Sequence, residues 1–533
     1  MVDWFAHRAR SDPDTLALGS TRTGKTWTYG ELDEEIGAVA RSLIEEGVDS
    51  DSRVAVLLSR SASFVRMVWA VMRIGATLAP LNVEERPDAV ARKLETLDPD
   101  LVVASDAANA VSESGDALQV RGSAETGQTT RWLVRSLSTL ERPVSEQSSG
   151  GSESETGSAG ISPPVEGTPV PADSRGTGLD ETAVILFTSG TTGTPKAVRL
   201  TARNLGASAA GSAFRLGVRP DDRWLLTLPM YHMGGLAIPF RAAMYGIGVV
   251  LQSDFEPQET IKAVDEWGVT GVSLVPTMLD RLLSAGWEPD ALRFALVGGA
   301  RTPPELAHRA LAAGVPIYPT YGMTETASQV ATATPNEVAA NPETVGRPLR
   351  TARVRLLPVD NRPETGAIAE GSGRKGDDSG TGDTRDIGEI AVGGPIVSPG
   401  YLEAGRSLAE EGWFRTGDIG RRLESGQLVV TGRLADRITT GGETVDPTEI
   451  EQVIESLRGV DVAVVVGVPD PEWGERVVAA VVGTEEREGT TLREELRERL
   501  AGYKVPKEIK LLQTLPRTPS GTVDREAVRE HFT

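Results

Sequence analysis

Cysteine is absent from the 533 residues, which excludes disulfides, thiolate nucleophiles and thiolate metal sites. Histidine is nearly absent as well: four residues, at positions 7, 232, 308 and 531, lie too far apart in sequence to form a local ligand cluster. No stretch reaches the roughly 18 apolar residues of a membrane-spanning helix, and Met1-Val2-Asp3-Trp4-Phe5 leads into a charged, helix-like stretch rather than a signal peptide. A cytoplasmic protein is expected. Lysine is scarce: of 55 basic residues only eight are lysines, at 25, 93, 196, 262, 375, 504, 507 and 510, against 76 acidic residues. The net charge of −21 argues against nucleic acid and anionic membrane as partners, since both need clustered positive charge. An acidic, lysine-poor surface fits a salt-adapted protein, in which repulsion between like charges is screened.

What is present is a chain long enough for a large core and more than one domain. The first hundred residues alternate between helical and strand-like patterns. Leu32, Ile36, Val39, Ala40 and Leu43 fall near helical spacing, Arg53 to Leu58 reads as a buried strand, and Ser63 to Ile74 is helical again. The βαβ rhythm returns from Trp224 to Ala300, with strands at Trp224–Pro229, Val249–Leu251, Gly271–Val275 and Phe294–Val297 and a helix from Pro257 to Trp267. This alternation predicts an α/β fold with a large, layered N-terminal domain built on mainly parallel sheets. After Asp436 the pattern becomes a small α+β unit. Its first helix starts at Asp446-Pro447 and buries Ile450, Val453, Ile454 and Leu457; a later helix is expected to open at Thr491, with Glu494 completing a capping box. The expected domains are therefore 1–435 and 436–533. Two tracts poor in apolar residues, 141–178 and 360–386, read as insertions that cannot bury enough surface to offset their ordering entropy.

Four short stretches carry chemistry. The strand-like Ala183-Val184-Ile185-Leu186-Phe187 opens onto Thr188-Ser189-Gly190-Thr191-Thr192-Gly193-Thr194-Pro195-Lys196, where glycine backbone, hydroxyls and one point charge suit a triphosphate. It departs from the G-x-x-x-x-G-K-[ST] pattern at Pro195 and Ala197, and composition alone would equally fit a Gly/Thr-rich surface turn. Further along come Tyr321-Gly322-Met323-Thr324-Glu325-Thr326, Thr416-Gly417-Asp418 and Gly432-Arg433-Leu434-Ala435-Asp436. Gly298-Gly299-Ala300, at a strand end, offers exposed backbone to a planar ligand.

In that order and approximate spacing, these stretches resemble the acyl-adenylate-forming superfamily of acyl-CoA synthetases, luciferases and peptide-synthetase adenylation domains. The resemblance implies ATP, Mg²⁺ and CoA as cofactors and a small carboxylic acid as substrate. It places Thr188 to Lys196 on the β and γ phosphates, Tyr321 with Gly322 at the adenine, Thr324 on the α-phosphate, Glu325 on Mg²⁺, and Asp418 and Arg433 on the ribose. It makes His232 a gate between acyl pocket and thiol tunnel, Ala435-Asp436 a hinge for a mobile C-terminal domain, and Gly441-Gly442-Glu443 part of the CoA face. Lys196, His232, Thr324 and Glu325 are the implied catalytic set. Locally, His232 with Gly234-Gly235, Arg241, and Thr326-Ala327-Ser328-Gln329 most resemble the o-succinylbenzoate-CoA ligases of menaquinone synthesis, which implies Arg241, Ser328 and Gln329 as partners for a second, unreactive carboxylate. Other aryl or medium-chain acids are alternatives. One departure is marked: Pro519-Ser520-Gly521-Thr522 has Thr522 where the family carries a lysine bridging carboxylate and α-phosphate. That leaves a non-catalytic nucleotide- or adenylate-binding protein as the rival reading. Arg517, Arg525, Lys504 and Lys507 are the cations near enough in sequence to replace the lysine. The oligomeric state is open, a homo-oligomer included.

Overall fold

A computed structural model describes residues 3–105, 117–121, 129–136, 140, 178–188, 195–359, 387–403, 407–483, 488–517 and 523–533. The expected insertion 360–386, the insertion 141–178 apart from Gly178, the loop residues Ser189 to Thr194, and Thr522 lie outside them. The described chain divides into two compact units: 1–342 with 349–353 and 393–413, and 343–348 with 354–392 and 414–533.

The first unit holds two sheets. One runs, in spatial order, Ser328–Thr332, Ile317–Met323, Phe294–Val297, Gly271–Leu274, Arg223–Leu226, Gly248–Leu251, Leu16–Ser20 and Thr26–Thr28. Its pairings from Ile317–Met323 through to Leu16–Ser20 are all parallel. Helices such as Pro257–Glu266 and Pro276–Ser284 supply the crossovers that parallel neighbours require. The other sheet is centred on Thr77–Pro80, Arg53–Leu57 and Leu101–Ala104, again parallel to one another. Both sheets are buried by helices whose apolar stripes match the sequence reading: Tyr29–Glu45 buries Leu32, Ile36, Val39, Ala40 and Leu43, and Ala62–Ile74 is buried over most of its length. A capping box between Thr28 and Glu31 fixes the start of the first. The expected α/β class with mainly parallel sheets is what the structure has. Beyond Leu101–Ala104 it adds two antiparallel strands, Ala117–Arg121 and Thr129–Ser136, the second pairing parallel with Leu101–Ala104.

The second unit contains a sheet ordered Arg353–Leu357, Ile387–Gly393, Phe414–Arg422, Leu428–Arg433, so the strands flanking tract 360–386 are neighbours. It also contains an antiparallel hairpin of Val460–Asp470 and Gly474–Gly483 joined by Ile438–Thr440, Glu443–Val445 and Glu508–Leu511. The helix Pro447–Glu455 is capped by Asp446 and buries Ile450 and Ile454, as its sequence predicts. The second helix differs from expectation. It spans Gly489–Arg497 with Glu488 at the N-cap and no side-chain cap, so Thr491 lies inside the first turn and cannot cap it. The earlier start follows from packing: a Cβ at position 489 would come within 2.4 Å of the Ile509 carbonyl oxygen, and glycine alone allows that approach.

Candidate active site

In the first unit the two strands that flank the expected phosphate loop pair antiparallel. Thr182–Thr188 pairs with Lys196–Thr201, and Thr188 lies opposite Lys196 in the register, so the two ends of the loop are held by the ladder itself. On the far side of the Lys196 strand, Gly400–Tyr401 adds antiparallel, with Tyr401 opposite Val198. That edge places the Tyr401 ring 5.3 Å from Lys196 Nζ. The Tyr401 hydroxyl donates to Glu325 Oε1 at 3.1 Å, and Ser398 N–H donates to the Glu325 carbonyl at 2.8 Å. Burial, the Glu325 charge and this hydrogen bond hold the phenol well above its ordinary pKa, so it remains a donor. Lys196 and Glu325, expected to share the triphosphate and its metal, are thus brought together through a tyrosine that no sequence motif singles out.

Glu325 sits in the 3₁₀ turn Thr324–Thr326, at the end of the strand Ile317–Met323 that carries Tyr321. The chain doubles back at once: Gly322 lies opposite Gln329, and a Cβ at 322 would fall 1.7 Å from the Ser328 carbonyl oxygen. Only glycine fits that approach. Ala327 and Ser328 have positive φ, 50° and 108°, a conformation L-residues adopt at a cost of order 1–3 kcal/mol each, and one that clusters at ligand sites. The neighbouring Gly298-Gly299-Ala300 follows strand Phe294–Val297, with Gly299 and Ala300 exposed.

The same tight turn meets a buried arginine. Arg241, 2 % exposed, lies in the helix Met233–Tyr245, with its guanidinium carbon 5.5 Å from the centre of the Trp224 ring. Its Nη2 donates to Ser328 Oγ at 3.2 Å, its Nε has no partner, and among the described residues no carboxylate pairs with it. Burial disfavours its charged form, with Tyr245 opposing, yet arginine stays protonated in proteins. Gln329 is committed through Nε2 to Thr332 and Thr320 at 2.8 and 3.3 Å, leaving a buried Oε1 without a partner. Arg241 and Ser328 therefore form one site, with Gln329 next in the chain and anchored to the sheet.

His232 is the N-cap residue of the Arg241 helix. Its ring stands edge-on to Tyr231 at 4.7 Å, and its Nε2 is buried without a partner. Burial first and the Lys93 charge second push its pKa below the usual histidine value, against a smaller opposing effect of Glu85. Lys93 is itself paired to both oxygens of Glu85 at 2.5 and 2.6 Å. Burial therefore favours the neutral imidazole.

In the second unit Asp418 and Arg433 are cross-strand partners, joined by Nε to Oδ1 at 2.7 Å. Asp418 is buried while Arg433 projects, and Asp418 N–H donates to Thr416 Oγ1 at 3.0 Å. Gly441 and Gly442, both at positive φ, make the two-residue turn between Ile438–Thr440 and Glu443–Val445. Gly441 N–H donates to the Trp473 carbonyl at 2.9 Å; the Trp473 ring is 40 % exposed, with Lys507 Nζ 4.8 Å from its centre. This exposed indole and its cation adjoin the expected CoA face and were not marked by any motif. Ala435 and Asp436 lie in a 3₁₀ turn. Asp436 pairs with Arg525 at 3.3 Å; Arg525 also donates to Glu451 at 2.8 Å and to the Val465 carbonyl at 2.7 Å. Of the four cations near the missing lysine, Arg525 is thus a structural group, and Lys504 is bound to both oxygens of Glu449 at 2.6 and 2.7 Å.

A family model described as AMP-binding enzyme matches residues 5–402, and one described as AMP-binding enzyme C-terminal domain matches 449–522. The chain belongs to the AMP-binding enzyme family. It is 33 % identical over 539 residues to the 2-succinylbenzoate–CoA ligase of Geobacillus kaustophilus, covering 99 % of this chain and 97 % of that protein. It is 30 % identical over 536 residues to the enzyme of the same name from Listeria monocytogenes, covering 99 % of both. Among solved structures it resembles o-succinylbenzoate CoA synthetase from Bacillus subtilis in complex with the acyl-adenylate intermediate OSB-AMP, at TM-score 0.79 and 28 % identity, covering 99 % of this chain and 98 % of that one. The same enzyme with ATP and magnesium ion matches at TM-score 0.78 and 28 % identity, covering 98 % of each.

Proposed function

We propose that this protein is an ATP-dependent acid-thiol ligase that converts o-succinylbenzoate to its acyl adenylate and then to the CoA thioester, a step of menaquinone synthesis. The observation that carries the choice of acid is Arg241: a buried guanidinium with no carboxylate partner among the described residues, bonded to Ser328. Such a group calls for an anion, and an acid with two carboxylates can place one there while the other reacts.

The chemistry proceeds in two displacements. A carboxylate oxygen attacks the α-phosphorus, forming an acyl–phosphate bond while the α–β bond breaks and pyrophosphate leaves. Lys196 meets the charge that moves onto pyrophosphate, and Thr324 donates to the α-phosphate. Mg²⁺ neutralises phosphate charge when bound. Glu325 is the residue that fits it, a single carboxylate steadied by Tyr401; among the described residues no group of three metal-ligating side chains exists, which suits an ion that arrives with the nucleotide and keeps several waters. Tyr321 and the Gly298–Ala300 edge face the adenine, and Asp418 with Arg433 the ribose. The CoA thiol then attacks the acyl carbon and AMP departs. For that step the unit beyond Asp436 moves about Ala435-Asp436 and presents Gly441, Gly442 and Glu443, with Trp473 and Lys507 beside them. His232, neutral and with Nε2 unpartnered, lines the passage of the thiol. The protein is cytoplasmic and salt-adapted in this reading.

The test is pyrophosphate release with ATP, Mg²⁺ and CoA, comparing o-succinylbenzoate with benzoate and a medium-chain fatty acid. Release dependent on o-succinylbenzoate, with KM raised at least about tenfold in Arg241→Gln by loss of a charge-assisted contact, is the expected result; equal rates with all three acids would refute the assignment. Thr522 supplies no charge to the α-phosphate, which favours one further expectation: Thr522→Lys accelerates adenylation, and no gain would show that another group already does the work.

A further inference from the structure

Between turnovers the Arg241 site must balance its charge without substrate. The guanidinium cannot lose its proton, lies 2 % exposed beneath Trp224, and has one hydrogen bond, to the neutral Ser328 Oγ, with Nε unpaired. An isolated buried charge is among the costliest arrangements in a protein interior, and it persists when a counter-charge accompanies it. Among the described residues the protein supplies none: Arg241 has no ion pair, and the one titratable group coupled to it is the Tyr245 phenol, itself held protonated by burial and donating to the Ala209 carbonyl at 2.5 Å. A small anion from solution can supply that counter-charge.

We propose that in the absence of substrate Arg241 and Ser328 bind a small monovalent anion, chloride at physiological composition, and that the unreactive carboxylate of the acid enters by displacing it. This rests on the carboxylate-binding role of Arg241 proposed above and extends it. Chloride has one charge, like the carboxylate, and can accept from the unpartnered Nε–H of the guanidinium and from the Ser328 hydroxyl. Chloride is then a competitive ligand against the acid and neutral toward ATP. In a salt-adapted protein the competition works at its ambient concentration, so affinity for the acid is set by an exchange of anions rather than by the full charge of Arg241.

The experiment measures initial rates of pyrophosphate release by the full chain at constant ionic strength, replacing chloride stepwise with the bulkier methanesulfonate. Apparent KM for the acid should rise linearly with chloride, while kcat and the KM for ATP stay constant. For a chloride dissociation constant of about 0.2 M, mass action gives a roughly elevenfold rise at about 2 M chloride. Arg241→Lys should retain the slope and Arg241→Gln abolish it. Independently of any variant, crystals of the wild-type protein grown in bromide without acid should show an anomalous peak at the guanidinium that disappears when the acid is added. A flat KM together with no bromide at Arg241, in a protein whose Arg241→Gln variant still loses acid affinity, overturns the counter-ion and leaves the carboxylate role standing. An acid KM unchanged by Arg241→Gln overturns the carboxylate role, and with it the displacement, whatever bromide shows.

Discussion

Of the candidate cations, Arg525 lies nearest in sequence to Thr522, where the family lysine is missing, and the structure makes it a keystone of the second unit instead. Replacing it with methionine keeps the bulk of the side chain and removes three contacts at once: to Glu451, to Asp436 and to the Val465 carbonyl. The Glu451 side chain is 10 % exposed and also accepts from Val465 N–H at 2.9 Å, so it cannot turn to solvent without breaking the strand Val460–Asp470 from its helix. An ion pair broken by deleting one buried partner costs about 3–5 kcal/mol; the Asp436 contact, with both side chains a quarter exposed, adds little after solvent screening. Arg525→Met should therefore destabilise the second unit by about 3–5 kcal/mol, and Glu451→Gln in the same chain should recover part of the loss by removing the stranded charge. The deficit has a sign with pH. Burial raises the Glu451 pKa and Arg525 opposes it, so removing Arg525 raises it further. A carboxylate whose folded pKa exceeds its unfolded value destabilises as pH climbs through that interval. The Arg525→Met deficit is then smallest near pH 4.5 and grows toward neutrality, whereas the double variant shows no such trend. Hydrogen exchange at the Val465 amide in the full chain, measured across pH, reads this directly. A deficit below about 1 kcal/mol, or one independent of pH, would refute the reasoning. So would a collapse of adenylation in protein that remains folded, since Arg525 would then be acting on the phosphate.

Three further outcomes follow from the site. Tyr401→Phe removes a hydroxyl that donates to Glu325 and should cut adenylation about 10- to 100-fold, the worth of a hydrogen bond to a charged group; Mg²⁺ titration of pyrophosphate release checks it, and a change under about threefold would count against the Lys196–Tyr401–Glu325 arrangement. Lys93→Met removes a like charge from beside His232, while leaving Glu85 to act on it unpaired. Both effects raise the histidine pKa, so the acid limb of the thioester-forming step should move to higher pH, and an unmoved limb would detach His232 from that step. Trp473→Ala should raise the KM for CoA without altering adenylation measured before CoA is added; equal effects on both would make the exposed indole structural.

The sequence by itself determined the class of fold and the family, and it carried the expected nucleotide residues, because all of these depend on local information. Strand and helix periods bury one face each, so Leu32, Ile36 and Ile450 announce their elements, and the phosphate loop, the Tyr321–Thr326 turn and Asp418 are contiguous motifs whose chemistry needs neighbours in the chain. The capping box expected at Thr491 failed for the opposite reason: a tertiary approach of Gly489 to the Ile509 backbone moved the helix start. Tertiary structure alone decided what joins the motifs. Tyr401 reaches Glu325 only because Gly400–Tyr401 pairs with the Lys196 strand, and Arg241 meets Ser328 across 87 positions of chain. Arg525 looked like a spare cation until the hairpin and helix folded it onto Glu451 and Asp436. A side chain's charge is written in the sequence; its partners are set by which distant strands pair, and desolvation on folding decides what those partners must do.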